Sequence, residues 1–243
     1  MPYYSGCSCN TKTVINEDHS IQVVAQDDIL AGQEITNQYM KADKPTIIRR
    51  PFLRQKWFFD CFCPRCSDPT ELGSHLSSLV CPKTKCDGSV VPSHPLDYNS
   101  SWSCLSCGAV MLLDRVQAVL EEAQQLSEAP AGDDGVVEHY ERVIYRLSTL
   151  LHPYNHLVVD IKQKLALLYG NIPRYNLSTM GRPAKQRKVQ LCMDVLECLG
   201  KVILLMLKSY NLNHVEGRTW WFHPLESEDV VRADQDQGLY GQR

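Results

Sequence analysis

The first part of the chain has a short alternating pattern of apolar and polar side chains. Ile21, Val23 and Ala25 alternate with Gln22, Val24 and Gln26, a pattern that is typical of an edge strand or a half-buried strand. A turn is predicted over Asp27–Gly32, with Gly32 free to adopt a positive φ. A second short strand is predicted over Glu34–Tyr39, ending in an aromatic hydroxyl.

Helical patterns follow this β segment. Residues Thr46–Phe59 have a helical, basic pattern, and the cluster Arg49, Arg50, Arg54 and Lys56 is interpreted as a solvated helix face. From residue 111 onward, apolar side chains recur three and four positions apart, and short breaks separate four predicted helices. The first helix ends at Ala129–Gly132. The second and third cover Val136–Leu151 and Leu157–Leu168, and the fourth starts near Pro183 and runs through Leu199.

Two weaker signals come from the C-terminal part. The basic group Arg182, Lys185, Arg187 and Lys188 is interpreted as a solvated first helical turn rather than a nuclear signal. From Asn211 onward no helical period is present, although Trp220–Phe222 is strongly apolar. The polar stretch Glu226–Arg243 is predicted to be disordered.

Composition excludes several classes of protein. The chain has 243 residues, a net charge of −3 and no secretion signal at its start. An acidic chain has no bulk attraction for nucleic acid or an anionic membrane. The longest late apolar run, Val202–Leu207, is too short to span a bilayer. We therefore expect a soluble protein of the cytoplasm, the nucleus or both, without a membrane partner and with nucleic acid disfavoured as a partner.

Eleven cysteines change this picture, because most of them occur in clusters. Cys61-x-Cys63-x-x-Cys66 can reach one tetrahedral zinc ion, but a closed structural site needs a fourth ligand from elsewhere. Disulfides or inert buried thiols are the alternative interpretation. Clustering without a secretion signal favours zinc in a reducing compartment.

A second cysteine set follows. It consists of two pairs, Cys81-x4-Cys86 and Cys104-x2-Cys107, with 17 residues between them. Pairs at this separation predict a zinc ribbon or finger whose metal has a structural role. Trp102 is expected to cover the metal. His75 and His94 are alternative ligands, although four cysteines already complete the shell.

Several motifs together resemble a known family. Asp28–Tyr39, Arg49–Arg50 and Trp57–Cys66 resemble the end of a SET domain and its post-SET loop, and are most similar to the SET-and-MYND (SMYD) methyltransferases. Asp68–Gly73 and the added cysteine set resemble the arthropod SmydA-like branch of that family. The resemblance covers roughly residues 5–200.

The resemblance implies an α+β fold: a small β remnant of a SET domain with cysteine-rich zinc modules, then an α-helical, tetratricopeptide-like C-terminal domain. No repeat of about 34 residues is visible, so the helical-repeat assignment depends on the resemblance. The implied segments are the C-terminal part of a SET domain (1–45), a post-SET helix and zinc loop (46–78), a second zinc module (79–110), a helical domain (111–208) and an irregular tail (209–243).

The resemblance also implies site residues. Cys7 would be the fourth ligand for Cys61, Cys63 and Cys66, so two zinc sites are expected. Tyr39 would be the active-site tyrosine, and Phe59 would pack on the adenine of S-adenosylmethionine. The family motif Asn-His-Ser-Cys-x-Pro-Asn is only partly kept, because Tyr4–Ser5 replaces its Asn-His pair. Cys9 is left over as a small apolar thiol.

The expected function follows from what the chain shares with the family and what it lacks. The methyl-donor loop, the early SET strands and the MYND finger do not precede these motifs. We therefore expect a C-terminal fragment of a protein-lysine methyltransferase that is inactive alone, with a histone or another protein as substrate or partner. Two alternatives stay open: a zinc-stabilised pseudoenzyme that binds proteins and, less favoured in an acidic chain, nucleic-acid binding by the cysteine modules.

Overall fold

The computed structural model of the chain describes residues 4–7, 9–26, 28–128 and 135–207. All of these residues belong to one unit, which ends at Asn211. The predictions for Ala129–Gly132, Trp220–Phe222 and Glu226–Arg243 lie outside the described residues. Among the described residues, no helix combines the length and the apolar composition needed to cross a membrane.

The N-terminal β structure consists of two separate strand pairs. Strand β1 (Tyr4–Ser5) runs parallel to β4 (Thr36–Asn37). Strand β2 (Thr11–Ile15) forms an antiparallel hairpin with β3 (Ile21–Ala25), in which Ile15 lies opposite Ile21. The alternating pattern correctly predicted β3, but all five of its residues are exposed, so the strand is not half-buried here.

The second predicted strand is much shorter than expected. Ladder pairing covers only Thr36–Asn37 within the predicted Glu34–Tyr39. The Asn10 side chain takes over part of this role, because its Oδ1 accepts from the Thr36 N–H at 2.8 Å and its Nδ2 donates to the Glu34 carbonyl at 2.8 Å. Gly32 has a φ of +87°, as the turn prediction required.

Helix α1 (Thr46–Trp57) confirms the predicted helix after the β structure. It contains Pro51 and ends at Phe58, whose left-handed backbone (φ +58°) turns the chain away. A single turn, α2 (Pro64–Ser67), follows and begins with a proline, which suits the first position of a helix.

The second cysteine set is built on a small sheet. Four short strands form an antiparallel meander in which each strand pairs with the next along the chain. The buried residues Val90 and Trp102 lie on β6 and β7. These strands are β5 (Leu79–Val80), β6 (Ser89–Pro92), β7 (Trp102–Cys104) and β8 (Val110–Met111).

Four helices form the rest of the described chain, as the apolar periods predicted. They are α3 (Leu113–Leu126), α4 (Val136–Leu147), α5 (His156–Asn171) and α6 (Arg182–Leu207), with a 3₁₀ turn at Pro173–Tyr175. Helix α4 is shorter than predicted, because Leu151 leaves it and forms a bridge with Leu79. Asn155 begins α5 by accepting a hydrogen bond from the Leu157 N–H at 3.1 Å.

The first turns of α6 are not simply solvated, so that interpretation is wrong for two of its residues. Arg187 donates to both carboxylate oxygens of Glu141 on α4, at 2.9 and 2.7 Å. Lys188 donates to the carbonyl of Ala166 on α5 at 3.1 Å. These basic side chains hold α6 against its neighbours.

Buried side chains define two centres that matter for the site. The first, here called the main core, joins the small sheet to the helices: Leu79, Val90 and Trp102 belong to the same cluster as Leu147 and Ile161. The second, here called the cysteine core, contains Cys7, Leu53, Cys61 and Cys66. The two cysteine sets therefore lie in different packing environments.

Candidate functional site

The first four-cysteine group brings Cys7 to the triplet Cys61, Cys63 and Cys66. All four Sγ atoms lie within 4.8 Å of one another, and Cys7 Sγ is 4.0 Å from Cys61 Sγ and 3.5 Å from Cys66 Sγ. A tetrahedral zinc ion with Zn–S bonds of about 2.3 Å needs sulfur atoms about 3.8 Å apart. The donor atoms and their spacing therefore fit a closed tetrahedral metal site.

Local structure explains how each thiol reaches this group. Cys63 caps α2, and the Ser67 N–H donates to its carbonyl at 3.0 Å, so the turn places Cys66 beside it. Cys7 follows β1 directly, and the Gly6 N–H donates to the Asn37 carbonyl at 3.2 Å. The pairing of β1 with β4 thus places Cys7 beside the loop after α1 that carries Cys61, Cys63 and Cys66.

The four thiols also influence one another's ionisation. The thiol–thiol hydrogen bond from Cys61 is the main cause that lowers the pKa of Cys63, whereas hydrogen bonds with Cys61 and Cys63 raise the pKa of Cys7. Without a metal ion, the arrangement therefore favours the thiolate form of Cys63 and the protonated form of Cys7. A metal ion removes this conflict, because every thiol then binds as a thiolate.

The second group brings together Cys81, Cys86, Cys104 and Cys107. Cys81 Sγ lies 3.7 Å from Cys107 Sγ, and Cys86 Sγ lies 3.7 Å from Cys104 Sγ. The spacing again fits a tetrahedral metal ion. Burial raises the pKa of Cys104, but the backbone N–H groups of Cys107 and Ser106 outweigh this effect and lower it to about 7.

Gly88 is part of this second centre. A Cβ at this position would lie 2.6 Å from Cys104 Sγ and 2.6 Å from Ser106 Oγ. The backbone can therefore approach the thiol only because the residue has no side chain.

Neither alternative histidine ligand joins a cysteine group in the described chain. His75 stacks on His152, with ring centroids 4.6 Å apart. His94 lies in an exposed loop, where its backbone N–H donates to Ser100 Oγ at 2.9 Å. Cys9, the leftover thiol, is half-buried and lies 3.9 Å from Gln26 Oε1.

The basic face assigned to α1 needs a correction. Arg54 and Lys56 are exposed as predicted, but Arg49 and Arg50 are buried. Their shared face was recognisable, because positions 46, 49, 50 and 53 follow helical spacing and Leu53 is apolar. The prediction failed because arginine is rarely buried without a partner, and these partners come from distant parts of the chain.

Arg50 links the two cysteine modules. Its Nε donates to the Cys61 carbonyl at 3.2 Å, and its Nη1 donates to the Leu96 carbonyl at 2.9 Å. The guanidinium also lies 4.5 Å from the centroid of the Tyr98 ring, and the Tyr98 hydroxyl donates to Asp60 Oδ1 at 2.7 Å. The loop between β6 and β7 is thereby held against the first metal loop.

Tyr39 and Phe59, the two residues assigned by resemblance, lie together beside the cysteine core. Their ring centroids are 6.3 Å apart in an edge-to-face arrangement. The Trp57 ring packs on Tyr39 with centroids 4.8 Å apart. Among the residues that the structure describes, none forms a hydrogen bond with the Tyr39 hydroxyl.

The fold and its two four-cysteine groups define a mixed α and β protein with two candidate metal centres. No protein-family model matches the chain. Individual relatives do. The chain is 38% identical over 101 residues to SET domain-containing protein SmydA-8, isoform B, of Drosophila melanogaster, a match that covers 42% of this chain and 22% of that protein.

More distant relatives cover more of the chain. Histone-lysine N-methyltransferase ASHR1 of Arabidopsis thaliana is 24% identical over 65% of this chain and 35% of its own length. Protein-lysine N-methyltransferase SMYD4 of Danio rerio is 27% identical over 65% of this chain and 22% of its own length. The chain thus spans between 22% and 35% of the length of these relatives.

The matched parts of the chain are therefore similar to SET-domain proteins, among them named SMYD proteins. The fruit-fly relative supports the arthropod branch. The resemblance drawn from the sequence motifs is therefore confirmed at the level of the family.

Proposed function

We propose that this chain is part of an S-adenosylmethionine-dependent protein-lysine methyltransferase, to which it contributes one wall of the methyl-donor site. The observation that carries the proposal is the meeting of Cys7, the Cys61–Cys66 loop, Tyr39 and Phe59 in one cluster. These segments are far apart in sequence. A metal ion in the cysteine group would fix the loop that carries Phe59 beside the strand that leads to Tyr39.

The roles of the two aromatic residues follow from the chemistry. S-adenosylmethionine supplies an electrophilic methyl group on a sulfonium. Methyl transfer needs a neutral lysine amine in line with the S–CH₃ bond, so positioning provides most of the catalysis. The Tyr39 hydroxyl would orient that amine. The half-buried Phe59 ring would pack on the adenine.

We further propose that the chain binds two zinc ions, one in each cysteine group. Both would have a structural role, because four thiolates leave no open position for water. Cys7, Cys61, Cys63 and Cys66 would hold the methyl-donor wall together. Cys81, Cys86, Cys104 and Cys107 would hold the small sheet.

Residues 111–208 are proposed to form a tetratricopeptide-like domain that contacts a protein substrate or partner. The supporting observation is that successive helices pack side by side, with α4 against α5 and α5 against α6. Residues 1–45, 46–78 and 79–110 are proposed as the SET part, the post-SET loop and the second zinc module.

A second candidate function is a zinc-stabilised protein-binding module without catalysis. The observation that favours it is Tyr4–Ser5 in place of the family's Asn-His pair, because β1 lies directly beside the strand that leads to Tyr39. Binding of S-adenosylmethionine separates the two candidates.

The test is a calorimetric titration of the purified, zinc-loaded chain with S-adenosylmethionine. We expect micromolar binding, weakened about fivefold or more by Phe59→Ala, since base–aromatic stacking contributes about 1–3 kcal/mol. Tyr145→Ala is the matched control, because Tyr145 is exposed on α4, away from the cluster. Absence of binding up to millimolar donor would exclude catalysis by this chain alone and favour the binding module.

An immunoblot with an antibody to the helical residues chooses the form to be tested further. A band well above 27.6 kDa would show that cells make a longer form. The titration and the Phe59→Ala comparison are then repeated on that form. Tyr39→Phe in it is expected to lower methyl transfer to a lysine peptide while leaving donor binding unchanged.

A further inference from the structure

Two arginine side chains lie buried next to the first cysteine group. Arg49, on α1, has 0% of its surface exposed, and Arg65, on α2 between Cys63 and Cys66, has 1%. A buried guanidinium is costly unless a negative partner compensates for the lost hydration. The question is which groups supply that negative charge.

Arg49 points its guanidinium at the thiols themselves. Its Nε donates to Cys7 Sγ at 3.2 Å, and its Nη2 donates to Cys66 Sγ at 3.6 Å. These two cysteines are the first and the last ligand of the group along the chain. One planar side chain therefore joins both ends of the candidate metal site.

Among the described residues, Glu71 is the only carboxylate that forms an ion pair with these two arginines. Its Oε2 lies 2.9 Å from Arg49 Nη1 and 3.7 Å from Arg65 Nη2, and it also accepts from the Thr46 N–H at 3.0 Å. Ser77 donates to the other oxygen. Glu71 has a left-handed backbone, with φ +56°, and Leu72 follows with φ +59°. Such strain persists only where the surroundings hold it in place.

One carboxylate does not balance two guanidinium groups. Arg65 Nε and Nη2 have no hydrogen-bond partner within the described chain, so part of the positive charge is uncompensated by protein oxygen atoms. Four thiolates around a divalent cation carry excess negative charge, which would offset the uncompensated positive charge of the two arginines. Neutral thiols would leave that positive charge uncompensated.

We infer that Arg49 and Arg65 are positioning residues of the first metal centre. Arg49 holds the Cys7 and Cys66 thiolates through its N–H groups, the buried Arg65 offsets negative charge at the centre, and Glu71 anchors the two guanidinium groups from the following loop. The inference rests on the proposed zinc site. The ligand it concerns is a thiolate-bound divalent cation of the zinc type. Metal retention at this centre then depends on residues 46–77 as a whole, not on the four cysteines alone.

The test measures zinc retention in the full chain with Arg49→Gln. A chromogenic chelator competes for zinc, and the two ions are distinguished by comparison with Cys7→Ser, which lacks the first site. We expect one ion to bind about 10–100-fold more weakly, as is typical when an outer-shell partner of a ligand is lost, and the ion of the second centre to be unchanged. Arg54→Gln, an exposed change on the same helix, should behave as wild type.

Cobalt(II) substitution separates this role from a general loss of stability. Removal of an N–H···S bond should shift the thiolate-to-cobalt absorption of the first centre only, whereas a merely less stable fold would leave the absorption of the folded protein unchanged. Arg49→Lys should retain part of the affinity, because it keeps the charge but loses the planar fork.

Glu71→Gln provides a second route if Arg49→Gln does not fold, and it should weaken the same ion by removing the anchor of both arginines. Wild-type zinc affinity at both centres in folded Arg49→Gln or Glu71→Gln would overturn the inference. A wild-type chain that binds one zinc ion, unaffected by Cys7→Ser, would overturn both the inference and the first zinc site. Neither result bears on donor binding, which the titration with S-adenosylmethionine tests separately.

Discussion

His152 lies in the turn before α5 and stacks on His75 of the loop that follows the first metal centre. Its Nδ1 accepts a hydrogen bond from the Tyr154 N–H at 3.1 Å, which an imidazolium cannot do. Burial, together with His75 and Lys201, lowers the pKa of His152 from 6.5 to about 4. The neutral form of this side chain is therefore part of the folded structure.

This shift predicts how stability depends on pH. In the unfolded chain His152 binds a proton near pH 6.5, whereas in the folded chain it does so only near pH 4. The contribution of the neutral His152 side chain to the stability of the fold is therefore complete above pH 6.5, and it is lost as the pH falls from 6.5 to 4. We expect His152→Gln to reduce the fall in Tm between pH 7 and pH 5 by a few degrees. Thermal unfolding followed by circular dichroism measures this.

The matched control for this experiment is His19→Asn, because His19 is exposed in the β2–β3 turn and asparagine tolerates its positive φ. This variant should keep the pH dependence of the wild type. The explanation is wrong if His152→Gln and wild type lose the same number of degrees. His75 contributes in the same direction, since burial also lowers its pKa.

Residue types reveal candidate chemistry most reliably where the chemistry itself restricts the choice. The clustered cysteines were recognisable because thiols at short spacing have few other uses outside secreted proteins. The burial of Arg49 was not recognisable, because its partners Cys7 and Glu71 lie far from it in sequence. Helical spacing indicated the buried face of α1, but only the folded chain shows what that face meets.

The loop between β6 and β7 joins the second metal module to α1 through Arg50. Tyr98 on this loop lies against Arg50 and donates to Asp60. The interaction of a cation with an aromatic ring contributes about 0.5–2 kcal/mol, and the lower part of this range applies because Tyr98 is 40% exposed. A side chain without a ring would remove this contact and leave Arg50 with its carbonyl partners, Asp60 and the Phe62 ring.

We therefore expect Tyr98→Ala to lower the free energy of unfolding by about 1 kcal/mol and to loosen the loop that carries Cys61. Tyr98→Phe should lose less, because it keeps the ring and removes only the hydrogen bond to Asp60. Urea unfolding gives the free energies, and hydrogen exchange reports on residues 58–66. Equal protection of this loop in wild type and Tyr98→Ala would show that the contact does not hold it.

At the level of elements, local patterns predicted the helices better than the strands. Helices α4 and α5 were recognisable because their apolar residues repeat over several turns. The end of α4 was placed too late, because Leu151 pairs with Leu79 and leaves the helix. The strands of the second module are only two to four residues long, so no alternation can be read from them.

The whole molecule has its two candidate metal centres in unequal positions. Cys81 and Cys104 belong to the main core, together with Leu147 and Leu165 of the helices. Backbone bonds strengthen this junction, since the Val80 N–H donates to the Leu150 carbonyl at 2.9 Å and the His152 N–H donates to the Ser78 carbonyl at 3.1 Å. The cysteine core, in contrast, contains no buried side chain from α3–α6 among the residues whose burial the structure describes.

This arrangement predicts different consequences of metal loss at the two centres. Metal binding contributes to folding free energy wherever the unfolded chain has no preformed site. Cys104→Ser should therefore lower the Tm of the whole described unit and increase hydrogen exchange along α4 and α5. Cys61→Ser should increase exchange around Cys7 and residues 58–66 but leave α4 and α5 protected, because local unfolding follows the boundaries of the packed clusters.

Both variants are compared in zinc content, Tm and hydrogen exchange resolved by mass spectrometry. Each is expected to lose one of two zinc ions, so metal content alone does not distinguish them, whereas the distribution of exchange does. Equal loss of protection in α4 and α5 in both variants would mean that the two centres unfold together. In that case the Arg50–Tyr98 contact, rather than the main core, would be the stronger connection in the molecule. If α4 and α5 remain protected in Cys104→Ser, the helices fold without the second metal, and that module serves partner binding rather than stability.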